Sequence, residues 1–129
     1  MSFGEMVRNR RKEKGLTQKE LAEMVGIDFT YLSKIETGDL PPPSDEIIKK
    51  LATNLDLEAD ELFLLARKVP PSYRREIIKD GSTKEVLRLV THHPEFRKDL
   101  AEFVEDWRKK RRNSRKLKQE RNSDAKLAP

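Results

Sequence analysis

Side chains able to do covalent or metal chemistry are few in this sequence, and they are not gathered. His92 and His93 are its two imidazoles. Being adjacent, they diverge by about 100° on a helix and cannot easily chelate one ion. No partners follow at ligand spacing. Cysteine is absent, which excludes disulfides and thiolate zinc sites and favours an intracellular location. Serines and carboxylates are present, but no nucleophile, phosphate-loop or metal motif places them together. The expectation is therefore no enzyme, no catalytic residue, no cofactor and no metal. What remains is noncovalent chemistry: hydroxyls, amides and cations held on a scaffold.

Apolar residues make up 35% of the 129 residues and charged residues 40%, a lean core that suits small helical units with some solvated sequence. Charge is unevenly spread. Residues 1–70 hold 11 Lys/Arg against 13 Asp/Glu, net −2; residues 71–107 hold 7 against 8, net −1; residues 108–129 hold 10 against 2, net +8. The basic character thus lives in the C-terminal segment. No apolar run approaches the roughly 20 residues of a membrane span. The N-terminal MSFGEMVRNRRKEKG turns polar too soon for a secretory signal. A cytoplasmic location without a membrane partner is expected.

No strand-like alternation persists, so the chain reads as all-α. A first helix over Phe3–Lys14 carries Phe3, Met6 and Val7 on one side and stops at Gly15. TQKE, from Thr17 to Glu20, is a capping box opening a second helix with Leu21, Ala22, Met24 and Val25 as its stripe. Gly26 ends that helix. Asp28 is an N-cap for a third helix with Leu32 and Ile35 inward, closed at Thr37–Gly38. DLPPPS forbids helix. Ser44 then caps a fourth with Ile47, Ile48, Leu51 and Leu55, and EADELFLLARKV is a fifth offering Leu62, Phe63, Leu65 and Ala66. Val69–Pro71 marks a boundary.

Two short helices joined through a glycine turn and packed by a first helix make a helix-turn-helix. Gly26 suits the joint because the chain must reverse within about three residues, often through positive φ. Ala22 is small where the third helix passes, and Val25, Leu32 and Ile35 fill the angle. The stretch GLTQKELAEMVGIDFTYLSKIETG closely resembles the lambda-repressor/Cro-type (xenobiotic response element) family. Its elements stand here as Leu16-Thr17-Gln18, Leu21-Ala22, Gly26, Ser33-Lys34-Ile35-Glu36 and Gly38. The resemblance spans roughly residues 3–69 and implies a five-helix domain that binds double-stranded DNA, usually as a homodimer at a two-fold operator, for transcriptional control.

By matching positions, the resemblance implies that Phe29, Thr30, Ser33 and Lys34 face the major groove. Helical spacing sets 29 beside 33 and 30 beside 34. Thr30 and Ser33 can hydrogen-bond base edges, Lys34 can donate to guanine or phosphate, and Phe29 can pack on a thymine methyl; alternatively Phe29 closes the core. Gln18 stands where the family clamps a phosphate, or is simply a solvated first-turn residue; Thr37 and Gly38 would grip the other side of the groove. Arg11 and Glu36 match a pair that is structural if buried and nearly neutral if exposed.

Beyond residue 69 helices continue. SYRREIIK is short, a second capping box is expected from Ser82 to Glu85, and Pro94 suits a first turn. Phe96, Leu100, Phe103, Val104 and Trp107 form a one-sided stripe, which either folds back with Ile78, Val86, Leu87 and Val90 or meets a second chain. The expected division is a helix-turn-helix domain over 1–69, a helical extension over 70–107 open to dimerisation or a protein partner, and a flexible basic tail over 108–129, which can prolong the helix for a few turns before a disordered end. That tail could track DNA phosphates, bind RNA or an acidic partner, or be a solvated charge run. The functional expectation is a dimeric repressor or autoregulator acting by operator occupancy. The alternative is an antitoxin-like or scaffold protein whose C-terminal helices, residues 71–107, bind another protein.

Overall fold

The computed structural model describes residues 1–127. Among them the chain forms eight helices and no strand: α1 (Phe3–Glu13), α2 (Gln18–Val25), α3 (Phe29–Thr37), α4 (Asp45–Leu55), α5 (Ala59–Leu65), α6 (Pro71–Lys79), α7 (Gly81–His92) and α8 (Pro94–Leu127). The all-α reading and the five N-terminal helices agree with the sequence expectation. The chain divides into two compact units, Met1–Ile77 and the remainder from Ile78.

Local chemistry explains the helix boundaries of the first unit. The Thr17–Glu20 box forms both ways: the Glu20 amide donates to Thr17 Oγ1 (3.1 Å) and the Thr17 amide to Glu20 Oε1 (3.3 Å). A second box, Ser2 with Glu5, opens α1. Asp28 and Ser44 stand at the expected N-cap positions, but neither side chain makes a capping bond. Four of the first five helices end on one device. A left-handed residue (Gly15, Gly26, Asp56 or Arg67) is followed by a residue whose amide returns to the last turn. Ile27 N–H to Ala22 O at 3.0 Å is the instance at the α2–α3 joint, the long-range bond of a Schellman turn. Arg67 in this conformation stops α5 at Leu65, earlier than the apolar pattern suggested.

The core gathers Phe3 and Val7 from α1, Leu21, Ala22 and Val25 from α2, Leu32 and Ile35 from α3, Ile48, Leu51, Ala52 and Leu55 from α4, and Leu62 and Phe63 from α5. Met24 was expected inward but is 48% exposed; Met6, Ile47, Leu65 and Ala66 are only partly buried. Helix α1 crosses the end of α3 at Gly4, where a Cβ would fall 2.6 Å from the Glu36 carbonyl oxygen. Only a glycine permits that approach.

Pro70 is fully buried. Lys68 and Arg74 both donate to the carboxylate of Asp45 at the start of α4, at 3.2 and 3.1 Å. Ser72 donates to Asp60 at 3.1 Å. The first unit therefore continues through the proline break expected at residue 69.

In the second unit α7 packs on α8. The expected Ser82–Glu85 capping box is replaced. Asp80 is the N-cap of α7, accepting from the Ser82 amide (3.0 Å) and the Thr83 hydroxyl (3.2 Å), and Glu85 instead pairs with Arg88. A carboxylate two residues upstream outcompeted the serine. Pro94 is the first residue of α8 as expected. The helix then runs through Arg108 to Leu127, further than the few turns of continuation expected past Arg108. No Gly or Pro interrupts residues 95–127, and Arg, Lys, Leu, Gln and Glu dominate beyond Trp107; these are good helix formers. Residues 128 and 129 of the expected tail lie outside the described residues.

Candidate nucleic-acid interface

Helices α2 and α3 meet at Gly26, whose φ of 77° and ψ of 34° turn the chain in the left-handed region. The turn lets Leu32, Ile35 and Glu36 face inward from α3, leaving the opposite face of its first turns outward. Phe29, Thr30 and Lys34 are exposed and Ser33 is half-buried. At 44% exposure Phe29 does not close the core. Instead the Lys19 ammonium lies 5.4 Å from its ring centroid. This is a cation–π contact that places a second cation beside Lys34's face. Sequence reasoning missed Lys19, although it sits inside the capping box one residue past Gln18.

A buried charge network fixes how α3 is presented. Arg11 and Glu36 are 7% and 5% exposed. Arg11 donates from Nε to Glu36 Oε2 at 3.0 Å and from Nη2 to Oε1 at 2.9 Å. Its Nη1 donates to the Leu16 carbonyl at 2.8 Å. Gln18 adds a longer bond from Nε2 to Glu36 Oε1, 3.4 Å. One carboxylate at the end of α3 thus binds α1 and the start of α2 together. Of the two readings of this pair, the structure has the buried one. Gln18 is half-buried, and its amide has a second hydrogen to give. The capping box occupies Glu20's amide and leaves the first-turn amides of Gln18 and Lys19 without intrahelical partners.

Thr37 and Gly38 are exposed at the other end of α3. The Thr37 hydroxyl donates to Lys34 O at 3.2 Å, and the Gly38 amide to Ile35 O at 3.2 Å. Both groups already close the helix, so this end is less free to donate than its sequence suggested. In the first unit the carboxylates whose pKa is lowered belong to neither α2 nor α3: Asp45, held by hydrogen bonds from Lys68 and then Arg74, and Asp56, held by Lys14. Among the described residues no group of three or more His, Cys, Asp or Glu is placed to hold a metal ion. Among the described residues no helix is long and apolar enough to cross a membrane.

Comparison with known proteins gives this geometry its context. A helix-turn-helix family model matches residues 7–62. The HTH-type transcriptional regulator SinR of Bacillus subtilis is 30% identical over 109 residues, covering 83% of this chain and 95% of SinR. The regulator SlrR of the same organism is 41% identical over 61 residues, but the match spans only 40% of SlrR and 47% of this chain. Among solved structures, SinR in complex with DNA aligns at 36% identity over 47% of this chain and 97% of that one, with a TM-score of 0.45. With its fold, its α2–α3 joint and a near full-length relative in agreement, this chain belongs to the helix-turn-helix family of transcriptional regulators.

Proposed function

We propose that this chain is a sequence-specific, double-stranded-DNA-binding transcriptional regulator. It works as a homodimeric repressor or autoregulator by occupying an operator. The observation that carries this is the α2–α3 joint: a left-handed glycine, a buried Arg11–Glu36 pair behind it, and an exposed first turn of α3 in front. That turn enters the major groove. Thr30 and Ser33 bond base edges, Lys34 donates to guanine O6/N7, and Phe29 covers a thymine methyl. Gln18 gives its second amide hydrogen to a phosphate, helped by the start of α2. Thr37 and Gly38 flank the phosphates on the other side, where the threonine hydroxyl must exchange its backbone partner for the ligand. Blocking a promoter requires no chemistry, so the protein is non-enzymatic, needs no cofactor, and acts in the cytoplasm.

The test is a DNase footprint of the full chain on DNA upstream of its own gene, with excess nonspecific competitor. Two protected, two-fold-related half-sites are expected, lost when Thr30, Ser33 and Lys34 are changed to alanine. Diffuse retention without protection would sink the proposal.

A second reading is favoured by one observation. Phe103 and Trp107 on α8 are 63% and 50% exposed, on the side that the apolar pattern would bury. A protein partner covering residues 71–107 would make this an antitoxin-like or scaffold protein. In that case the alanine changes in α3 would leave its cellular function intact.

A further inference from the structure

Beyond Trp107 one face of α8 carries cations and no carboxylate. At about 100° per residue, Arg108, Arg111, Arg112, Arg115, Lys118 and Lys126 fall within one sector of about 120°. The residues between them in that sector are Gln119 and Asn122. Every carboxylate of α8, from Glu95 to Asp124, falls outside it, with Glu105 at its edge beside Arg112, while Lys109, Lys110, Lys116 and Arg121 lie on the other faces. Trp107, Arg108, Arg111, Arg112 and Arg115 line one shallow concavity. The Arg111 guanidinium stacks 4.8 Å from the Trp107 ring centroid. Arg112 has one long ion pair with Glu105, 3.7 Å, and among the described residues no ion pair takes Arg108 or Arg115. Like charges three and four residues apart each cost a helix about 0.2–0.5 kcal/mol, so this face opposes the helix that carries it until a polyanion neutralises it.

We propose that this arginine face of α8 is a sequence-independent binding surface for the phosphates of duplex DNA, a second contact alongside α3. The inference rests on the DNA-binding function proposed above and adds a site to it. The first 70 residues carry a net charge of −2, so long-range attraction to a duplex cannot come from the helix-turn-helix unit as a whole. The segment from Arg108 supplies +8. Once α3 holds one stretch of duplex, the tethered α8 meets neighbouring phosphates at high effective concentration. Other polyanions fit less well. A bilayer surface needs an apolar face beside the cations, and Leu117 lies on the opposite side of the helix. A single strand needs a series of aromatic platforms, and Trp107 is one ring.

The experiment compares the full chain with an Arg108→Gln, Arg111→Gln, Arg112→Gln, Arg115→Gln variant. Gln keeps helix propensity close to that of Arg, and circular dichroism checks that the helix persists. Binding to a fluorescent random-sequence duplex is followed between about 50 and 200 mM salt. Loss of four phosphate contacts should lower the slope of log K against log salt by about 3 to 4. Affinity at low salt should fall at least tenfold, by an equal factor on any duplex sequence. A Thr30→Ala, Ser33→Ala, Lys34→Ala variant should largely keep its binding to the random duplex. An unchanged slope overturns the proposal, as does a loss confined to single-stranded RNA or to polyglutamate. Footprinting separates the two claims. A footprint retained with an unchanged slope sinks the α8 surface alone. A slope lowered as expected, with no footprint by the unaltered chain, sinks the α3 function alone.

Discussion

Glu36 is where residue chemistry and function meet. Its carboxylate takes hydrogen bonds from both Nε and Nη2 of Arg11 while nearly excluded from water. Replacing Glu36 with Leu strands a buried guanidinium, and a loss of about 3–5 kcal/mol in urea unfolding is expected. The Arg11→Met, Glu36→Leu double variant should recover much of that stability, because no charge is left unpaired. Phe29 predicts the opposite pattern. As an exposed side chain, its change to alanine should alter stability by no more than about 0.5 kcal/mol while weakening specific DNA binding. Lys34→Ala should cost about 1–3 kcal/mol of discrimination between operator and mismatched duplex. Asp45 carries a pH prediction. Hydrogen bonds from Lys68 and then Arg74 lower its pKa in the folded chain. Its contribution is therefore present above the unfolded carboxyl pKa and fades as pH falls through the lowered folded value. The stability difference between Asp45→Asn and the unaltered chain should be measurable at neutral pH, begin to shrink near the ordinary carboxyl pKa of about 3.9, and vanish only below the lowered folded value.

At the scale of elements, the function depends on how α1, α2 and α3 are wedged together. The close approach of Gly4 to the Ile35 and Glu36 carbonyls sets the α1–α3 distance. Gly4→Ala drives a methyl into backbone that cannot rotate aside, so a destabilisation of about 1–3 kcal/mol is expected, read by thermal melting. Gly26→Ala tests the joint differently. A Cβ there meets nothing within 4 Å, so any cost comes from its positive φ, about 1–2 kcal/mol. The first of these positions was invisible in the sequence. Gly4 looks like an ordinary residue near a helix start, because the carbonyls that exclude a side chain come from residues over thirty positions away. Gly26 was legible, since a glycine between two amphipathic segments already has a local reason to be there.

For the whole molecule, the two units differ in how they are held. The first has a shared apolar core drawn from five helices. Neither α7 nor α8 contains a buried residue among those described. A fragment of residues 1–77 should therefore melt cooperatively with nearly the midpoint of the first unit in the full chain. Amides of 108–126 should exchange with solvent far faster than those of α4, since no tertiary packing supports that stretch of α8. Binding duplex DNA should slow that exchange if the arginine face engages it.

Local chemistry in the sequence was enough to define the class of the fold, the α2–α3 joint and most of the core. Helical periodicity, the Thr17–Glu20 box and the terminating glycines all act within about four residues, so their effect is readable without knowing the rest of the chain. The same reach explains why Asp80, rather than Ser82, capping α7 was a near miss. Only the tertiary structure decided that Phe29 points outward, that Arg11 and Glu36 are buried against each other with Gln18 beside them, and that Lys19 joins the exposed face. It also decided that the first unit passes through Pro70, because Asp45 holds Lys68 on one side of that proline and Arg74 on the other. These outcomes depend on which face of each helix meets another element, and that is set by packing between residues far apart in sequence.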